Sequence, residues 1–139
     1  MNCVKKQLSL LGVVATLALV FAGVAQAGTL TLFVAVDEAS FDAPLGLPGP
    51  FNIEGNTGSG TGSFQCWGWI FANESTNVSQ VYFIAGRGTI TVQGQEGAPM
   101  SVVGGTGDFL NVRGEAIQDF TGPDLDFSIE FTLRGARGD

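Results

Sequence analysis

The chain has 139 residues, a formal charge of −7, 45% hydrophobic residues and only 14% charged ones. This composition excludes a charged disordered chain, and with six Lys plus Arg the chain lacks the basic surface of a nucleic-acid-binding protein. Because the chain has no His, Ser-His-Asp catalysis, Cys-His catalysis and the usual zinc sites are also excluded.

The first 27 residues are typical of a secretory signal peptide. Lys5 and Lys6 form a short basic region, an apolar run covers residues 8–24, and Ala25-Gln26-Ala27 is an A-x-A cleavage pattern. A retained membrane anchor is the alternative interpretation. Cleavage after residue 27 predicts a secreted or periplasmic protein with no membrane attachment.

The mature chain, residues 28–139, is predicted to be one domain of 112 residues. Four Arg against 13 acidic residues give it a charge of −9. Only Cys66 remains, so an intramolecular disulfide is impossible. A chain of this length can fold alone, and its stability must come from its core or from oligomerisation.

Short alternating segments between Gly and Pro turns predict an all-β fold. The clearest is 126–134, where apolar and polar residues alternate over nine positions, as in a strand with one buried face. Antiparallel strands of this kind favour a closed barrel or a sandwich, and an eight-stranded barrel can hold one small ligand. An outer-membrane barrel is the structural rival, but membrane strands need about 9–11 residues and several of these are shorter. The eight predicted strands are 29–36, 51–55, 63–72, 78–85, 88–95, 99–104, 109–119 and 125–134.

Three segments resemble one family of barrel proteins. Residues 100–116, MSVVGGTGDFLNVRGEA, resemble the dirigent signature M-P-V-V-G-G-T-G-x-F-x-x-A-R-G-x-A and the T-G-G-S-G-x-F segment of allene oxide cyclases. Residues 88–94 resemble the G-S-T-L-x-I-Q-G strand of dirigents and the H-I-S-V-Q-G strand of the cyclases. Residues 131–135 are similar to the cyclase ending F-Y-L-K-G. The resemblance covers residues 63–135 and implies an eight-stranded antiparallel up-and-down, calycin-like β-barrel over 28–139, often a homotrimer.

The resemblance implies a protein that binds an apolar small molecule in the barrel and needs no cofactor. Cyclases of this family close a reactive epoxide into a cyclopentenone, whereas dirigents steer phenoxy radicals or quinone methides to one stereochemical product. Three hypotheses follow. The protein is a cofactor-free cyclase or isomerase, a dirigent-type auxiliary working with a separate oxidase, or a non-catalytic ligand-binding or surface interaction protein. One scaffold hosts several functions, so the resemblance predicts the fold better than the reaction.

Three charged residues are candidates for catalysis. Asp37 ends the segment FVAVD, which resembles the dirigent F-Y-F-H-D segment whose Asp is a pocket residue, although the His is Val36 here. A carboxylate between apolar walls can act as a general acid or base. Arg113 matches the arginine of the signature and is suited to orienting a substrate oxygen, and Asp108 lies in the turn before it. The structural alternatives are turn or capping roles for both Asp residues and an ion pair of Arg113 with Glu115.

The candidate ligand-binding residues are a cysteine and several aromatic residues. Cys66 falls near the pocket cysteine of the cyclases, but no His is available to activate it. Aromatic side chains are suited to stacking on a planar ligand, and ordinary core or subunit-interface packing is the alternative. No metal site is predicted, since the acidic pairs of the chain are more typical of solvated loops. The predicted ligand-binding set is Cys66, Trp67, Trp69, Tyr82, Phe127 and Phe131.

Overall fold

The computed structural model describes residues 28–41, 47–57, 62–121 and 124–135. The predicted signal peptide, 1–27, lies outside these ranges. Each of the eight predicted strands overlaps one observed strand. The strands are β1 (Gly28–Phe41), β2 (Gly49–Thr57), β3 (Gly62–Ile70), β4 (Thr76–Ile84), β5 (Gly88–Gly94), β6 (Met100–Gly105), β7 (Arg113–Phe120) and β8 (Phe127–Arg134).

The strands form a closed barrel in chain order. Every strand pairs antiparallel with its neighbours in the sequence, and β1 also pairs with β8 from Gly28↔Leu133 to Val34↔Phe127. This confirms the predicted eight-stranded antiparallel up-and-down barrel. Closure pairs the backbone groups of β1 with those of β8, so neither strand is an exposed sheet edge that another element would have to cover.

Strand alternation fills the barrel interior with apolar side chains. On β8, Phe127, Ile129, Phe131 and Leu133 are buried inside, while the residues between them face outward. The neighbouring aromatic rings make tilted and edge contacts, with centroids 5.0 Å apart for Phe64 and Tyr82 and 5.2 Å for Tyr82 and Phe131. Such ring pairs add about 0.5–1.5 kcal/mol each beyond the area they bury.

One end of the barrel, which we call the closed end, is plugged by Phe109. A 3-10 turn, Gly107–Phe109, folds under the barrel and buries this ring. Arg87 from the β4–β5 turn lies over the ring, with its guanidinium carbon 4.8 Å from the ring centroid, and its Nε donates to Asp108 Oδ2 at 3.1 Å. The opposite end, called the open end, is formed by the turns after β3, β5 and β7.

Two strand boundaries differ from the sequence prediction by more than two residues. β7 begins at Arg113 rather than at 109, because residues 107–109 coil into the 3-10 turn and Asn111 has a φ of 64°. β1 continues to Phe41 beyond the predicted end at 36, with a bulge between Val36 and Glu38. Helices long and apolar enough to cross a membrane do not occur in the described ranges.

Candidate functional site

An apolar cavity of about 150 Å³ lies inside the open end of the barrel. Its size is comparable to a cavity of about 150 Å³ that binds benzene in another protein, so it accommodates roughly one ring. The floor and walls come from the inward faces of six strands, and the rim comes from the turns of the open end. Of the residues that the structure describes, eight apolar and three polar ones line it: Val36, Phe51, Ile53, Phe64, Ile70, Thr76, Glu96, Gln118, Phe120, Leu125 and Phe127.

Glu96 contributes a carboxyl group to the lining of the cavity. It lies in the turn between β5 and β6, and its side chain is held by Thr76, whose Oγ1 donates to Glu96 Oε2 at 3.3 Å. Burial raises the pKa of this carboxyl above its usual value, and the hydrogen bond from Thr76 lowers it by less. A carboxyl group whose pKa is raised by burial can serve as a hydrogen-bond donor or general acid at a higher pH than an exposed one.

A chain of three buried polar side chains crosses the interior beneath the cavity. Tyr82 Oη donates to Gln80 Oε1 at 2.7 Å, and Gln80 Nε2 donates to Gln118 Oε1 at 3.1 Å. Tyr82 and Gln80 are fully buried, whereas Gln118 is 9% exposed and reaches the cavity. Burial raises the pKa of Tyr82 well above 10, so the phenol stays protonated at physiological pH.

Cys66 is also buried in this interior and is an unreactive thiol. Burial, followed by the nearby charge of Glu96, raises its pKa from 9.0 to about 12, and its hydrogen bond with Gln80 lowers it by less. The thiolate is the nucleophilic form of cysteine, and at pH 7 it is essentially absent here. The geometry therefore favours Cys66 as a packing residue rather than as a nucleophile.

The structure places the three charged candidates away from the cavity. Asp37 points outward at the β1 bulge, where Asn56 Nδ2 donates to both of its carboxylate oxygens at 3.3 and 3.1 Å. Asp108 pairs with Arg87 at the closed end. Arg113 is exposed at the start of β7, where its Nη1 donates to the Val112 carbonyl at 2.7 Å. Asp108 and Arg113 lie at the closed end, whereas Asp37 lies on β1 beside Asn56 of β2, so the three do not form one constellation.

The predicted ligand-binding residues divide between the two faces of the sheet. Cys66, Tyr82 and Phe131 are buried inside, and Phe127 lines the cavity. Trp67 and Trp69 have the opposite strand parity and lie on the outer surface, each 47% exposed. The structure therefore places both tryptophans outside the interior that they were expected to line.

Sequence reasoning missed the polar residues of the cavity. Gln80 shares its strand parity with Val78 and Tyr82, and Gln118 shares its parity with Ala116, so a polar residue on an apolar face was the available signal. Glu96 gave no such signal, because the segment 94–99 is typical of an exposed turn.

The barrel is similar to two solved structures of known proteins. A pyocyanin demethylase matches with a TM-score of 0.63 and 18% identity, over 76% of this chain and 99% of its own. A pterocarpan synthase dirigent protein matches with a TM-score of 0.62 and 16% identity, over 84% of this chain and 88% of its own. No protein-family model and no curated protein matches the sequence. At these identities the similarity shows the fold, which is the dirigent-like barrel.

Proposed function

We propose that this chain binds an apolar small molecule in the open-end cavity and steers its stereoselective cyclisation or isomerisation without a cofactor. The observation that carries the proposal is the carboxyl group of Glu96 in a cavity otherwise lined mainly by hydrocarbon. An acid surrounded by apolar walls is suited to the chemistry of neutral, water-insoluble substrates. The names of the two structural neighbours, a demethylase and a synthase, support catalysis on this fold.

The proposed mechanism combines confinement of the substrate with donation of one proton by Glu96. The walls fold a flexible substrate into a reactive conformation and exclude water, which removes much of the entropic barrier to ring closure. Glu96, positioned by Thr76, donates its proton to the substrate oxygen at which negative charge develops and recovers a proton when the product forms. Confinement of the substrate selects one stereochemical course.

A dirigent-type auxiliary is the second candidate function. One ring of a phenol oxidised by a separate oxidase would lie in the same cavity, which has the size of one ring, and its exposed face would couple with a second oxidised phenol outside the cavity. The structural similarity to a pterocarpan synthase dirigent protein favours this alternative over a purely structural role. In both functions the protein acts outside the cytoplasm, after removal of residues 1–27.

The deciding experiment compares products with and without an oxidant. Unsaturated epoxides are incubated with the mature protein alone, phenols are incubated with the protein and a laccase-type oxidase, and the products are separated by chiral chromatography. For a cyclase, Glu96→Gln lowers kcat roughly 100- to 10,000-fold, the usual contribution of a general acid. The matched control is Glu115→Gln, which lies on the exposed face of β7 and leaves the rate unchanged.

The outcomes separate the candidate functions. Stereoselective products without an oxidant establish the cyclase, whereas stereoselectivity only in the presence of the oxidase, insensitive to Glu96→Gln, establishes the auxiliary. Racemic products in both arms contradict the proposal. The catalytic roles of Asp37, Asp108 and Arg113 stay predictions, and Asp37→Asn and Arg113→Ala test them in the same assay by changing turnover or stereochemical excess.

A further inference from the structure

The amide nitrogen of Gln118 is an unpartnered donor at the cavity wall. The side chain is nine-tenths buried, and its Oε1 already accepts the hydrogen bond from Gln80 Nε2. Within the described ranges, Gln118 Nε2 has no hydrogen-bond partner. Within the described ranges, Asn52 Oδ1 is the only fully buried polar side-chain atom without a partner, so Gln118 Nε2 is accessible from the cavity, where a ligand oxygen can replace water as its acceptor.

The Tyr82 hydroxyl sets the direction of this hydrogen-bond chain. Tyr82 Oη donates to Gln80 Oε1, which turns Gln80 Nε2 toward Gln118 Oε1 and leaves the Gln118 nitrogen on the cavity side. Rotating both amides by 180° would present an oxygen to the cavity instead. In that arrangement the Tyr82 hydroxyl would lose its acceptor Gln80 Oε1; the contacting rings of Phe64 and Phe131 offer none, and the nearby thiol of Cys66 is only a weak acceptor.

The charges around the cavity restrict what the free donor can bind. Among the described residues, the one ionisable group that lines the cavity is Glu96, an acid, so its carboxylate form would repel an anionic ligand. Apart from Thr76 and Gln118, the other described lining residues have hydrocarbon side chains, which favour an apolar ligand. The complementary ligand is therefore neutral and apolar, with one oxygen that accepts a hydrogen bond.

We propose that the Gln118 amide nitrogen is the recognition donor of this cavity and selects ring-sized apolar ligands that carry a neutral acceptor oxygen, such as an aryl ketone carbonyl. Gln80 and Tyr82 are positioning residues that act through Gln118. The inference rests on the proposed function and deepens it, since it names the substrate class.

The experiment uses two probes of the same shape. Acetophenone has a C=O group where α-methylstyrene has C=CH₂, so the pair differs in the acceptor oxygen and hardly in size. Binding of both to the mature protein is measured by NMR titration, and the ratio of the two Kd values is compared between wild type and Gln118→Leu. One neutral hydrogen bond is worth about 0.5–1.5 kcal/mol, so the relative preference for acetophenone should fall roughly three- to tenfold.

Two further variants separate recognition from general structural damage. Tyr82→Phe removes the donor that orients Gln80, so it should also lower the preference for the ketone, although Tyr82 does not line the cavity. Gln65→Leu makes the same chemical change on the outer face of β3, away from the cavity lining, and should leave the ratio unchanged. In wild type, the side-chain NH₂ signals of Gln118 should move with acetophenone and not with α-methylstyrene, a readout that requires no variant to fold.

The possible results distinguish this inference from the function on which it rests. Failure of both probes to bind wild type contradicts the ligand-binding function itself. Binding of both probes with an equal ratio in wild type and Gln118→Leu, or with unmoved Gln118 signals, overturns the recognition role alone.

Discussion

Glu96 is a turn residue whose side chain folds back into the barrel, and this makes its protonation part of the stability of the protein. Water solvates the carboxylate in the unfolded chain, whereas apolar groups surround it in the cavity. The folded state therefore prefers the neutral form, which is the physical cause of the raised pKa.

The sign of the resulting pH dependence follows from proton linkage. Between the usual Glu value of 4.5 and the raised folded value, the native protein binds more protons than the unfolded chain. Rising pH consequently destabilises the fold in this window, and above the folded pKa the loss from this group is complete. We expect Glu96→Gln to raise the Tm relative to wild type at pH 7, with a smaller gain at pH 4.

Thermal unfolding at the two pH values tests this prediction. The glutamine keeps an oxygen that can accept the Thr76 hydroxyl, so the substitution removes the charge and little else. Glu115→Gln on the outer face is the control for the substitution itself, since Glu115 does not line the cavity. An equal effect of Glu96→Gln at both pH values would show that the carboxyl does not titrate differently in the folded state.

The individual residues show why the site was harder to predict than the fold. Alternation in 126–134 fixes which side chains of β8 point inward, and the structure agrees at every position from Phe127 to Leu133. In 64–69, apolar residues occupy both parities, so periodicity cannot say which face is buried. The structure turns Gly68 inward, where the Phe51 ring fills the space of the missing side chain, and this leaves Trp67 and Trp69 outside.

At the scale of the elements, the start of β7 depends on close contact with β8. Gly114 pairs with Leu133 and has a φ of 155°, and a Cβ atom built on it would overlap the backbone carbonyl oxygen of Thr132. A backbone atom of a paired strand cannot move aside without breaking the ladder. This explains in physical terms why a glycine stands at that position of the signature.

Gly114→Ala should destabilise the fold by about 2–4 kcal/mol, since it combines steric overlap with an unfavourable φ. Denaturant unfolding measures the loss. Gly86→Ala is the matched control, because Gly86 has a φ of 75° but open space around its Cα, so only the conformational cost of about 1 kcal/mol remains. Equal losses in the two variants would contradict the role of the strand contact.

The loop between β6 and β7 shows what strand patterns leave undetermined. The sequence predicted a strand from 109, but Phe109 instead plugs the closed end, held by the guanidinium of Arg87 over its ring. An apolar residue in an alternating sequence is expected to be buried, but the pattern does not show whether it belongs to a strand or to a turn. Asp108, a candidate catalytic residue from the sequence, lies in this loop and fastens it to Arg87.

At the scale of the whole molecule, closure of the sheet explains how an acidic chain whose one described cysteine, Cys66, is a free thiol is stabilised. β1 and β8 complete each other's hydrogen bonds, and the interior holds a nearly continuous apolar core.

The outer surface is less typical of a monomer. Trp67, Trp69 and Phe71 lie along β3 and its turn, each 47% exposed, and they flank a shallow surface that also contains Asn77 and Gln93.

Contiguous exposed aromatic side chains favour a protein–protein interface, in agreement with the homotrimer that the sequence resemblance implies. We expect the mature protein to sediment with three times the mass of one chain and the double variant Trp67→Ser/Trp69→Ser to sediment as a monomer. Dissociation should also make the Tm of the wild type depend on protein concentration, since assembly stabilises only folded chains. Phe83→Ser, an equally outward aromatic near the closed end of β4, is the control and should leave the trimer intact. A trimer that survives the double substitution would place the interface on another face, and a wild type that sediments as a monomer at all concentrations would remove the trimer itself.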